Sequence, residues 1–437
     1  MQRCGDVRRV RRGTAEVPQI AVAALLQFEP LTSTLDTFDP TAAEFLADPY
    51  PTLSRLREQA PVLHDEKLDR WFVTRHADVR ACLRDRRLGR NFRHVGSDEE
   101  FHAEPLDPRW RAFWDMERWS LLWLEPPDHT RIRKLVAAAF TPRSVEAMRE
   151  PAARLADELL EAFLESGHMD LLYDFAQPYS IALICQWLGV PIDRQRDLLG
   201  WSHATVKMYE LDTTEEHGIA ANVAAAEFQD YVVELIAERR RSPRDDLVSA
   251  LVEARVDSGR LSEAEIVSTV IVLLNAGHEA TVNTLGNGIR ALMRDREQWQ
   301  RLVDGTVPAA SAIEELIRYD PPLQLFERWV LEDGVEVAGV SIPRGEKIAM
   351  LFGAANRDPR VFAEPDVFDV ARANAAEHIG FGGGIHVCIG APLARIELQE
   401  SLRALVERCP NLELAQEPKR HPAFVIWGLE RVDVALG

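Results

Sequence analysis

Cysteine is scarce in this chain of 437 residues: Cys4, Cys82, Cys185, Cys388 and Cys409 are all there is. An odd, dispersed set without a Cys-x-x-Cys pair suggests neither a disulfide framework nor a zinc site, and fits a reducing cytoplasm. Basic charge is also in deficit. Lys and Arg number 51 against 70 Asp and Glu, a net charge of −19. That argues against nucleic acid as the main partner, because phosphate neutralisation needs a basic face. No apolar run reaches the roughly 20 residues needed to span a bilayer. No Gly-x-Gly-x-x-Gly follows a strand pattern and no cysteine cluster occurs, so no flavin or iron–sulfur segment is evident. No linker divides the chain. With 46% hydrophobic and 28% charged residues it can bury one large core.

The N-terminal stretch differs from the rest. Arg8, Arg9, Arg11 and Arg12 precede a short apolar run from Ile20 to Leu26, but no small-residue cleavage site follows. Residues 1–35 therefore read as a disordered or weakly docked extension, and 36–437 as a single domain. From Ala60 the pattern is strand, polar turn, strand, then a helix near His76. Between Leu88 and Trp123 lies a long irregular segment rich in rings: Phe92, Phe101, Trp110, Phe113, Trp114, Trp119 and Trp123. Trp110, Phe113 and Trp114 share one helical face, so ordinary core packing accounts for any one of them. The length of the segment nevertheless suits a lid over a pocket. Pro126 and Pro127 open a helix in which His129 and Arg133, four apart, put two donors on one face, suited to a carboxylate.

Helical patterns dominate from Val145 to Arg241. Ser262 to Glu265 form a capping box, and the longest helical pattern of the chain runs from it to about Arg294. A helix of that length, on the order of 50 Å, must cross the core. Its centre is apolar until Asn275, Ala276, Gly277, His278, Glu279, Ala280 and Thr281 interrupt it with small and polar residues. Ala276 and Ala280 lie one above the other and would let a flat group rest against the helix. A crossing of two helices would need small residues too.

The most particular stretch is Phe381, Gly382, Gly383, Gly384, Ile385, His386, Val387, Cys388, Ile389, Gly390. Its glycines permit positive φ and close approach of a planar ligand, while backbone N–H groups can be aimed at the Cys388 sulfur. A helix from Pro392 to Val406 would turn its amide end towards that sulfur and favour the thiolate. A glycine-rich turn around a structural cysteine is the plainer alternative. The spacing Phe-Gly-x-Gly-x-His-x-Cys-x-Gly resembles the haem-binding loop of the cytochrome P-450 family of haem-thiolate monooxygenases, and the resemblance extends from about Phe38 to the C-terminus.

The resemblance implies a mainly α fold, with a large helical region around the long helix and a smaller β region. It implies haem b ligated through Cys388, and a bacterial, cytoplasmic enzyme of secondary metabolism. Such an enzyme uses O2 to oxidise a small apolar organic substrate, drawing electrons from a ferredoxin and its reductase. Phe381, Gly382, Ala276, Gly277 and Ala280 would then line the haem, and His129, Arg133, Arg328 and His386 would bind its propionates. Glu279 matches the acid of the oxygen-activating motif and is the proton-relay candidate. Ala280 stands where relatives have threonine, and Thr281, one residue on, points about 100° away. Glu315 and Arg318 look like the Glu-x-x-Arg pair, with Arg372 as third member because Val367 occupies the position where relatives place arginine. Arg131, Lys134 and Arg395 are candidate contacts for the electron donor. A peroxide-driven or non-hydroxylating oxidase is one alternative, which Ala280 favours. A gas sensor or carrier is another, which Glu279 and the aromatic segment disfavour.

Overall fold

The computed structural model describes residues 38–437 apart from Ala139, Asp257 and Ser258. The expected N-terminal extension lies outside the described residues. From Asp39 to Gly437 the chain folds as one compact unit. The two strand patterns after Ala60 form β1 (Val62–Asp65) and β2 (Arg70–Val73), and a helix begins at His76 as expected. With β3 (Leu88–Gly89), β4 (Leu325–Val330) and β5 (Lys347–Leu351) they build a five-stranded sheet in the order β1-β2-β5-β4-β3. In it β5 runs parallel to β2 and antiparallel to β4, and Ile348 opposite Arg328 fixes the register.

Helices make up the larger part. Those used below are α1 (Asp128–Ala137), α2 (Gln177–Leu188), α3 (Gln195–Val206), α4 (Glu263–Arg294), α5 (Ala309–Tyr319) and α6 (Ala391–Arg408). The capping box predicted for α4 is present: the Ser262 hydroxyl accepts from Glu265 N, and the Glu265 carboxylate accepts from Ser262 N at 2.8 Å. Its 32 residues span about 48 Å. From Val270 to Asn275 every side chain is buried, so the helix crosses the core as its apolar centre requires. Tyr179 and Ser180 of α2 reach α6, where the Tyr179 hydroxyl donates to Glu397 O at 3.0 Å. Thus α2, α4 and α6 meet in one buried layer.

A three-stranded sheet in the order Glu413–Leu414, Asp433–Ala435, His168–Asp170 lies outside the helical pattern expected for 145–241. His168–Asp170 is a strand only because the distant Asp433–Ala435 pairs with it. Among the described residues no helix is long and apolar enough to cross a membrane.

Candidate active site

The cysteine loop is held by its own backbone. Cys388 N donates to Phe381 O at 2.9 Å, Gly382 N to Ile379 O at 2.8 Å, and Val387 N to Gly384 O at 3.3 Å. Gly382 and Gly384 have φ of +68° and +65°, a region that side chains rarely tolerate. At Gly384 space forbids a side chain as well, since a Cβ would sit 2.0 Å from Leu83 O. Cys388 ends the loop just before α6. Burial raises its thiol pKa, opposed by the backbone N–H groups of Gly390 and Ala391 and by the Arg133 and Arg395 guanidinium groups. The residue is still accessible on one side. Cys82 and Cys185 differ: they are buried, and burial pushes both thiols up to about 12.

The four expected propionate partners lie in this loop or beside it. His129 is buried on α1, with its ring centroid 4.4 Å from that of His386 and no hydrogen-bond partner at Nε2. Burial, then the charges of His386 and Arg133, lower its pKa to about 4. Arg328, placed by β4, is buried with Nη1 unpartnered, and burial lowers its pKa to about 9. Arg133 Nη2 donates to Val387 O at 2.5 Å and so clasps the loop itself. His386 has both ring nitrogens engaged by protein: Nδ1 donates to Leu121 O at 3.2 Å and Nε2 faces Glu125 Oε1 at 3.4 Å. Two unpartnered nitrogens, His129 Nε2 and Arg328 Nη1, therefore stand out from the four. Arg90, which sequence reasoning missed, stacks 4.4 Å over Phe326 and donates to Glu327 O at 2.9 Å.

On α4, between Glu265 and Ile289, only Ala276 and Ala280 are exposed. They lie one turn apart, as their spacing predicts. The Glu279 carboxylate lies 3.4 Å from His203 Nε2 on α3 and 3.4 Å from His278 Nε2. Burial raises its pKa, and the nearby charges of His203 and Lys207 oppose the shift. Thr281 turns elsewhere: its hydroxyl donates to Gly277 O at 3.3 Å, and it lies beside Glu397 of α6. Glu397 was not singled out in the sequence, since an acid on α6 carries no sign of what covers it. It is buried, accepts from Ser180 Oγ at 3.3 Å, and burial pushes its pKa to about 8.

A carboxyl that stays protonated in the fold and ionises in the unfolded chain binds more protons folded, so stability falls as pH rises towards 8. Glu397→Gln is expected to remove that part of the pH dependence. Urea unfolding between about pH 5 and pH 8 checks it; an unchanged slope would show that Glu397 is already ionised in place.

Glu315 and Arg318 form their pair in the interior. Both side chains are fully buried on α5, joined by Arg318 Nε to Glu315 Oε2 at 2.6 Å and Nη2 to Oε1 at 2.7 Å. Arg318 also donates to Asn356 O and Pro365 O, each at 2.9 Å. Arg372 is the third member, with Nε 3.2 Å from Glu315 Oε1. Removing one partner of a fully buried pair leaves an uncompensated charge, so Glu315→Ala is expected to cost on the order of 3–5 kcal/mol. Denaturant unfolding would read this, and a cost near that of an exposed ion pair would contradict it.

The aromatic segment divides. Phe92 and Phe101 stack at 4.4 Å beside Trp329 and are core, as is Phe113. Trp110 covers Gly218, where a Cβ would lie 2.2 Å from its ring. Trp114 and Trp123 are half-buried, 6.4 Å apart, with unpartnered indole N–H groups. Near them Glu117 is buried, takes a hydrogen bond from the Tyr209 hydroxyl at 2.9 Å, and is pushed to about 7 by burial. Two expected docking cations are already committed: Arg131 to Asp128 and Glu265, and Arg395 to Glu314 at 2.6 Å. Asp128 is three residues back on α1, but Glu265 comes from α4 and Glu314 from α5, which the basic residues alone do not disclose. Lys134 is exposed.

The model of the family described as Cytochrome P450 matches residues 93–304 and 309–425. The chain is 37% identical over 413 residues to a polyketide biosynthesis cytochrome P450 of Bacillus subtilis, covering 91% of this chain and 98% of that one. It is 36% identical to 6-deoxyerythronolide B hydroxylase of Saccharopolyspora erythraea, again over 91% and 98%. Among solved structures, P450BioI in complex with an acyl carrier protein ligated to hexadec-9Z-enoic acid superposes with a TM-score of 0.84 at 32% identity, over 90% of this chain and 98% of that one.

Proposed function

This chain belongs to the cytochrome P450 family and is a haem-thiolate monooxygenase, and from that premise we propose that Cys388 is the iron ligand of a secondary-metabolism oxygenase acting on an apolar organic substrate. The observation that carries the assignment is the setting of Cys388. Two backbone N–H groups, of Gly390 and Ala391, and two guanidinium groups, of Arg133 and Arg395, oppose the effect of burial on its accessible sulfur, whereas Cys82 has one backbone donor, Cys409 one guanidinium and Cys185 neither.

The residues fit haem. Ala276 and Ala280 leave the α4 face low where a macrocycle would lie, and His129 Nε2 and Arg328 Nη1 are buried nitrogens suited to its propionates. Arg133 can share a propionate while holding Val387 O, and His386 steadies the loop through Leu121 and Glu125. When bound, the haem supplies the activation of O2, and a thiolate ligand favours O–O cleavage. The protein's own part is to exclude water, orient the substrate and hold a proton. Glu279 is suited to the last task, because burial keeps its carboxyl protonated to higher pH and His203, exposed at the surface, connects it with solvent. Trp114 and Trp123 offer apolar surface to the substrate, and Glu117 offers a buried acceptor to a polar group on it.

Electrons are proposed to come from a ferredoxin with its reductase. Exposed Lys134 remains available for docking, whereas Arg131 and Arg395 are neutralised by internal acids. Turnover of a hydrophobic substrate, found by Soret-shift screening, should be compared with ferredoxin, reductase and NADPH against hydrogen peroxide alone. The proposal expects product mainly with the protein partners. Product with peroxide alone, and none with the partners, would favour the peroxide-driven reading that Ala280 allows.

A further inference from the structure

We propose that His203, His278 and Glu279 form a site for a divalent transition metal, with zinc as the fitting ion, between α3 and the centre of α4. Their ligand atoms all lie within 4.8 Å of one another. Glu279 Oε1 is 3.4 Å from His203 Nε2 and 3.4 Å from His278 Nε2. Zinc takes imidazole nitrogen and carboxylate oxygen at about 2.0–2.2 Å, and the edge of a tetrahedron of that radius is about 3.3–3.6 Å. Two of the three edges thus already have the length that coordination would give them. Two imidazoles and one carboxylate, with a water completing the set, is a ligand combination that zinc accepts.

The orientation of the groups is the second observation. Neither His278 Nε2 nor Glu279 Oε1 has a hydrogen-bond partner, although both atoms are buried. Once Glu279 is ionised, these two atoms 3.4 Å apart are opposed acceptors, which a bridging cation relieves. His278 Nδ1 is directed at Leu274 O at 3.4 Å. A carbonyl can only accept, so Nδ1 carries the proton and Nε2 presents its lone pair, the arrangement that an outer partner imposes on a metal-binding histidine. His278 is only 1% exposed, so its ring is held in place by packing. His203, by contrast, is exposed and provides the route of entry. Lys207, just past α3, faces the same carboxylate and opposes a dication, which moderates the affinity.

The consequence rests on the proposed role of Glu279. An ion held here ties α3 to α4, takes the carboxylate that would otherwise hold the proton, and caps the histidine that links it to solvent. Zinc is then a reversible inhibitor of turnover, relieved by a chelator.

The test uses the haem-loaded enzyme without a polyhistidine tag. Equilibrium dialysis against micromolar zinc, with metal analysis of zinc and iron, is expected to give one bound zinc per chain. His203→Ala, at an exposed position that leaves the core intact, should weaken binding by at least about 10-fold. His278→Gln should do the same. No bound zinc in the unaltered enzyme, or unchanged binding in His203→Ala, overturns the site. Zinc binding of the expected stoichiometry without loss of product formation leaves the site standing and overturns the proton role of Glu279.

Discussion

Replacing Cys388 by alanine is expected to abolish both monooxygenase activity and the red-shifted Soret band that the reduced protein should give with CO. The sulfur is the end point of a local arrangement, and no other described cysteine stands near enough to replace it. Cys82, Cys185 and Cys409 are buried elsewhere, and Cys82 and Cys185 are held protonated by burial. Ile389 and Val387, its neighbours, offer no donor atom. The loop itself should survive, because Cys388 N still donates to Phe381 O and Arg133 still holds Val387 O in the variant. Loss of the band with a normal unfolding midpoint is therefore the expected pairing. A variant that keeps the band would sink the ligand assignment.

Glu279→Gln should slow product formation by at least about 10²-fold with haem content unchanged, since general acid help typically contributes 10²–10⁴-fold. The substitution keeps size and removes only the proton. Because burial raises the Glu279 pKa, the protonated form persists to higher pH than for an ordinary carboxyl; the rate should fall as pH rises through that raised value, and the glutamine variant should lack this limb. Thr281→Ala should matter less. Its hydroxyl is spent on Gly277 O within its own helix and lies by Glu397, while Ala280 provides no hydroxyl at all. If Thr281→Ala separates NADPH consumption from product and Glu279→Gln is silent, the proton enters by the Thr281 and Glu397 side instead.

What could be read from the residues was what depends on neighbours in the chain. Gly382 and Gly384 announce positive φ, Ser262 and Glu265 announce a helix start, and Ala276 and Ala280 announce a low strip on one helical face. Each is settled within a turn or two by local sterics and hydrogen bonding, and each stands in the fold as expected. The resemblance of the Cys388 loop to a known family rests on the same local spacing.

Tertiary structure decided everything that turns on burial or on a partner distant in the chain. The three-residue spacing of Glu315 and Arg318 does not disclose that Asn356 and Pro365 close over them. Arg131 and Arg395 look free until Glu265 and Glu314 neutralise them. His168–Asp170 has no reason to be extended until Asp433–Ala435 lies beside it. The acid of Glu397, weakened by its place under α4, and the meeting of His203 with Glu279 follow from how α2, α3, α4 and α6 pack. An interaction energy depends on distance and on the water excluded around it, and neither quantity is a property of spacing along the chain.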